Sequence, residues 1–199
     1  PLRYSKLLQL SGLSSDSALE FKATWTSVPQ PRKREIIGRL VELSEDNLEL
    51  DFSSVFRVCL EDADVDVRAK AVRGLWESED RSLIRPLIGM LRDDPDPEVR
   101  ALAASALGKF AELAQDGKLL SKDGTRIQGA LMAALGREGE DLEIMRRAIE
   151  AVAHFDSPER DKIIQAAYEN GDPRLLQSSI YAMGRSSSRE WLPRVIEET

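Results

Sequence analysis

Cysteine and histidine are nearly absent from this chain: Cys59 and His154 are the only ones in 199 residues. A single cysteine excludes an internal disulfide framework and a cysteine-based zinc site, and a lone histidine with no cysteine cluster carries no metal site. Aromatic residues make up only 6% of the chain. Val, Ile and Thr nowhere gather into alternating runs, so the composition leans away from sheet and towards helix. No signal peptide is seen, and no apolar run reaches the roughly 18 residues of a membrane span, so no membrane partner and a cytoplasmic location are expected. Positive charge is also in deficit. Against 35 Asp and Glu stand 28 Lys and Arg, a formal net charge of −7. An acidic chain is a poor match for nucleic acid, whose readers present a basic face, and equally for an anionic membrane surface. With 42% hydrophobic and 32% charged residues the chain reads as folded and soluble rather than disordered.

A repeat is present instead. In "DPDPEVRALAASALG" (94–108) Asp96 is followed by Val99, Ala103 and Leu107. The same spacing recurs as Asp64, Val67, Ala71, Leu75, then Asp141, Ile144, Ala148, Val152, then Asp172, Leu175, Ser179, Met183. Residues four apart share a helix face, so each set is one apolar stripe on a first helix. A second stripe follows each: Leu83, Ile84, Leu87, Ile88 and Leu91; Ile127, Leu131 and Leu135; Ile163, Ile164, Ala167 and Tyr168; Trp191, Leu192, Val195 and Ile196. A less regular pair over 31–46 and 50–62 precedes them. The expected fold is all-α, an α–α superhelix of about five helix pairs over 28–199, whose neighbours bury a shared core that no pair can hide alone. Residues 1–27 fall outside the period and are expected to cap the first pair, while the repeats are expected to continue beyond 199. The four Asp residues lie 32, 45 and 31 positions apart, so the second interval holds an insertion, placed at "ELAQDGKLLSKDGT" (112–125).

Residues 94–108 resemble HEAT repeats, and more closely the bacterial HEAT-like units named after phycobilisome lyases, whose pattern is roughly D-P-(D/S)-P-x-V-R-x-x-A-(A/V)-x-A-L-G. "DADVDVRAKAVRGL" (62–75) is similar as well; the units at 140–153 and 171–184 depart from the pattern, with Met145 and Leu176 where it has Arg. The resemblance implies a stacked helical scaffold that binds partners, and implies little about chemistry.

The alternating acids Asp62, Asp64, Asp66 and Asp94, Asp96, Glu98 look at first like calcium-loop ligands. The loop's required Gly and Glu are replaced by Val67 and Arg73 in one case and by Val99 and Ser105 in the other. Asp followed by Pro97 reads better as a helix cap with Pro in the first turn. Arg68 and Arg100 are expected to bond within or between neighbouring turns. His154 sits at a helix C-terminus, where a cationic ring would meet a favourable dipole. Cys59 and the three tryptophans, Trp25, Trp76 and Trp191, read as packing residues. The basic run Arg32, Lys33, Arg34 has the wrong sign for a helix start and marks a possible contact with an acidic partner.

No catalytic residue, cofactor or metal site is expected, and the chain reads as non-enzymatic. Second helices usually line the recognition face of such stacks, so the partner-binding candidates are Arg57, Arg85, Arg92, Lys162, Gln165 and Arg194, with Arg32, Lys33 and Arg34 beside them. A protein or peptide is the expected partner. Two alternatives follow from relatives of the resemblance: a bilin lyase or chaperone binding a tetrapyrrole, and a DNA-repair protein, the latter disfavoured by the charge.

Overall fold

The structure, a computed structural model, describes residues 3–198, and every regular element among them is helical. The chain divides into two compact units, Pro1–Asp80 and Arg81–Thr199. The first contains α1 (Tyr4–Leu8), α2 (Ser15–Trp25), α3 (Gln30–Asp46), α4 (Ser53–Cys59) and α5 (Val65–Gly74). The second opens with a 3-10 turn, Arg81–Leu83, then α6 (Ile84–Asp93), α7 (Pro97–Gln115), α8 (Ser121–Leu135), α9 (Leu142–Val152), α10 (Pro158–Glu169) and α11 (Pro173–Arg185). A further 3-10 turn, Arg189–Trp191, leads into α12 (Leu192–Glu197).

The repeating Asp residues start the first helices as the pattern predicts. Asp64 accepts from the N–H of Asp66 and Val67, and Asp96 from Glu98 and Val99. Asp141 accepts from Glu143, and Asp172 from Arg174. Each cap satisfies N–H groups that the helix itself leaves without a partner. Every stripe residue read from these four starts is buried, Val67 and Leu75 through Ser179 and Met183. In the first unit α5 packs on α3 and α4, and α4 on α2. Residues 11–13 are tied to the start of α4: the Gly12 N–H donates to Asp51 O at 2.7 Å, and the Asp51 N–H to Ser11 Oγ at 3.0 Å.

In the second unit α7, α9 and α11 form one layer, while α6 and α8 lie side by side in the other. Small residues bring the layer close: a Cβ on Gly108 of α7 would stand 3.3 Å from the Ala151 Cβ of α9.

The fold differs from the sequence reading in helix lengths and in packing. Residues 112–125 are not a separate loop. α7 runs for 19 residues and α8 for 15, against 10 each in α5 and α6. Phe110 and Leu113 keep the apolar spacing going, so the extra length is absorbed into both helices, and Gly117 turns the chain at φ +71°. Trp25 and Trp191 are buried, but Trp76 is 53% exposed. On the last stripe Leu192 and Ile196 are exposed.

Candidate functional site

The acids that resemble a metal site serve the turns between helices. Asp62 Oδ1 accepts from the Asp64 N–H at 2.9 Å, and Asp94 Oδ1 from the Asp96 N–H at 3.0 Å. Each thus stands one step before a cap and fixes it. Arg68 Nη1 donates to the carbonyls of Asp62 and Ala63, at 2.9 and 3.1 Å. Arg100 Nη1 donates to Asp94 O at 3.1 Å, and its Nη2 reaches Glu140 Oε1, 2.9 Å away in the next repeat. Glu140 also pairs with Arg137 at 2.9 Å and accepts from the Asp141 N–H at 3.0 Å. The recurring arginine is therefore a latch within and between turns, as expected.

The basic run at the start of α3 turns towards these acids. Lys33 is buried, 2.7 Å from Asp62 Oδ2, and lies over the Trp25 ring; the Trp25 Nε1–H donates to the same carboxylate oxygen at 2.7 Å. Burial alone would raise the Asp62 pKa. The hydrogen bonds from Lys33, the Asp64 N–H and Trp25, with the Lys33 charge, outweigh it and hold the carboxyl below 3.8. Arg34 Nε donates to Asp64 at 2.9 Å, and Arg32 pairs with Glu35 at 2.6 Å. The first unit's own carboxylates thus pair with all three; the buried Lys33 is out of reach of a partner, while Arg32 is half-buried and Arg34 exposed.

Cys59 is fully buried, with its pKa pushed far up by desolvation, so it is no nucleophile. His154 departs from the sequence reading. It is buried, and burial first, then the Arg185 charge, lower its pKa below 6.5 against the opposing pull of Glu112 and Asp116. Its Nδ1 lies 3.0 Å from Gln115 Oε1, which suits a neutral ring donating to the amide. Desolvation overrides the helix dipole that would have favoured the cation. Among the described residues no three His, Cys, Asp or Glu side chains gather as a metal-ion set.

An open groove of roughly 670 Å³ runs between α6 and α8. Ile84, Ile88 and Leu91 from α6 and Ala130, Ala133 and Ala134 from α8 give it an apolar lining. Five arginines border it: Arg81, Arg85, Arg92, Arg126 and Arg137. Arg81 holds Asp123 through Nε and Nη2 at 3.1 and 2.6 Å, and Arg126 stands 4.0 Å from the same carboxylate. Arg92 pairs with its neighbour Asp93 at 2.6 Å. Arg85 is exposed and forms no ion pair among the described residues.

Of the remaining predicted residues, Arg57 on α4 pairs with Asp80 at 2.5 Å. Lys162 on α10 is exposed. Gln165 accepts from Arg194, which also lies over the Tyr168 and Trp191 rings. The structure thus brings Arg85 and Arg92 together in one groove. Arg81, Arg126 and Arg137, which complete it, were missed by the sequence reading; their signal is the helical spacing of Arg126 and Arg137 across a run of alanines. In the first unit a second depression of about 760 Å³ exposes Leu48 and Trp76 above Phe52 and Phe56.

Asp-capped helices stacked side by side in two layers define a helical-repeat fold of the α–α solenoid class. A family model described as HEAT repeats matches residues 54–123, and that stretch of the chain carries HEAT repeats. HEAT repeats commonly mediate protein–protein interaction. No curated protein matches the chain. No helix among the described residues is long and apolar enough to cross a membrane.

Proposed function

We propose that the chain is a non-catalytic scaffold that binds a protein partner along its second helices, through Arg85, Arg92, Lys162 and Gln165 in the second unit. The observation that carries this reading is the groove between α6 and α8, where two neighbouring second helices leave apolar side chains open between exposed arginines. Such an opening suits recognition of a protein segment. Proteins captured from native lysate on the immobilised chain are compared with those on an Arg85→Glu, Lys162→Glu variant. The expected result is loss of at least one captured protein at an unchanged melting temperature. Identical capture by both forms would overturn the second-helix assignment.

A further inference from the structure

The two helices bordering the groove run parallel. Arg81, in the turn before α6, holds Asp123 at the start of α8, and at the other end Arg137 Nη2 donates to Arg92 O at 3.2 Å. Along one side Arg81, Arg85, Ile88 and Arg92 step by four, three and four residues. Along the other Arg126, Ala130, Ala133 and Arg137 step by four, three and four as well. That spacing keeps the helical part of each row, Arg85 to Arg92 and Arg126 to Ala133, on one helix face, with Arg81 in the turn before α6 and Arg137 just past the end of α8. All eight residues line the groove. Both rows end in arginine; the first has a further arginine, Arg85, and the remaining positions, Ile88, Ala130 and Ala133, are apolar or small. Three nearby carboxylates, Asp93, Asp123 and Glu140, answer five guanidinium groups, so positive charge is left over in a chain whose net charge is −7.

We infer that this groove binds an acidic peptide segment of the partner, with carboxylates near both ends and an apolar side chain between them. This rests on the scaffold reading and names its partner's chemistry. Each row spans about 16 Å at 1.5 Å per residue. An extended segment covers that length in about five residues, so its acidic groups stand four or five apart. Guanidinium forks match carboxylates, the contact that arginine favours over lysine. The alanines at 130 and 133 leave room for the apolar side chain over Ile88. A nucleic acid fits less well. No aromatic side chain lines the groove for bases to stack on.

The test is selection of a random displayed peptide library on the full chain. Enrichment of peptides with two acidic residues flanking an apolar one is expected. A synthetic copy of an enriched peptide should bind the Arg85→Glu, Arg126→Glu variant at least about tenfold more weakly, and bind the wild type more weakly as salt rises. Arg85→Ala alone removes an exposed side chain, and serves if the double variant fails to fold. Enrichment of neutral or basic peptides, no enrichment, equal affinity for the variants, or tighter binding of a single-stranded oligonucleotide would each overturn the inference. If selection fails while lysate capture still depends on Arg85 and Lys162, the scaffold reading stands and only the acidic segment falls; if capture is unchanged, the scaffold reading itself falls.

Discussion

Replacing Asp96 with alanine removes one helix cap whose N–H partners face partly into water, and should lower stability by about 1 kcal/mol. Replacing Asp62 with alanine does something larger. It leaves the buried Lys33 ammonium without its counter-charge and the Trp25 N–H without an acceptor, for a loss of about 3 kcal/mol. Urea denaturation of both variants reads the difference, and equal losses would show that the Lys33–Asp62–Trp25 cluster adds nothing to the turn. The contrast also marks what the sequence makes legible. Asp96 finds its partners two and three residues on, within the span of a local motif. Asp62 finds Trp25 and Lys33 at separations of 37 and 29, and nothing local announces them. For the same reason "PRKRE" reads as an open basic patch in sequence, whereas in the fold Lys33 is buried on Asp62 and Arg32 and Arg34 are ion-paired at the surface.

At the level of the helix, two glycines should behave oppositely. A Cβ on Gly74, at the end of α5, would stand 2.5 Å from the ring of Phe56, itself buried. Gly74→Ala should therefore force that ring aside and cost about 2 kcal/mol. A Cβ on Gly89, inside α6, meets nothing within 4 Å, so Gly89→Ala should raise stability by about 0.5–1 kcal/mol. Thermal melting of the pair checks both signs. Helix stripes were legible because a 3.6-residue period writes them into neighbouring positions. The prolonged α7 and α8 were not, because a longer helix carries no extra period, only more of the same one. The groove was half legible for a related reason. Each arginine row is a pattern within one helix, but that α6 and α8 lie side by side depends on the packing of α7 against both.

Across the whole chain, two buried groups set opposite ends of the acid response. His154 has a folded pKa below 6.5, so below that value the unfolded chain binds a proton that the folded chain resists. Stability contributed by the neutral ring is complete above 6.5 and declines as pH falls from there. Asp62, held below 3.8 in the fold, contributes stability that is complete above 3.8 and is lost as pH falls through its folded value. Melting temperature followed from neutral to acid pH should fall in two stages, and His154→Gln should flatten the first while leaving the second.

The carbonyl and carboxylate bonds at the α6–α7 corner have a mechanical side. Asp94 grips the Asp96 N–H, Asp96 grips Glu98 and Val99, and Arg100 reaches back to Asp94 O. A corner braced from both directions acts as a stiff elbow, not a hinge, and passes on a twist instead of absorbing it. If a guest of the kind inferred above enters between α6 and α8, any give would come from one helix sliding along the other beside Ala130 and Ala133, working against the Arg81–Asp123 and Arg137–Arg92 bonds at the two ends. Adaptation there would be measured in shear, with the spacing of the two arginine rows kept while their register shifts.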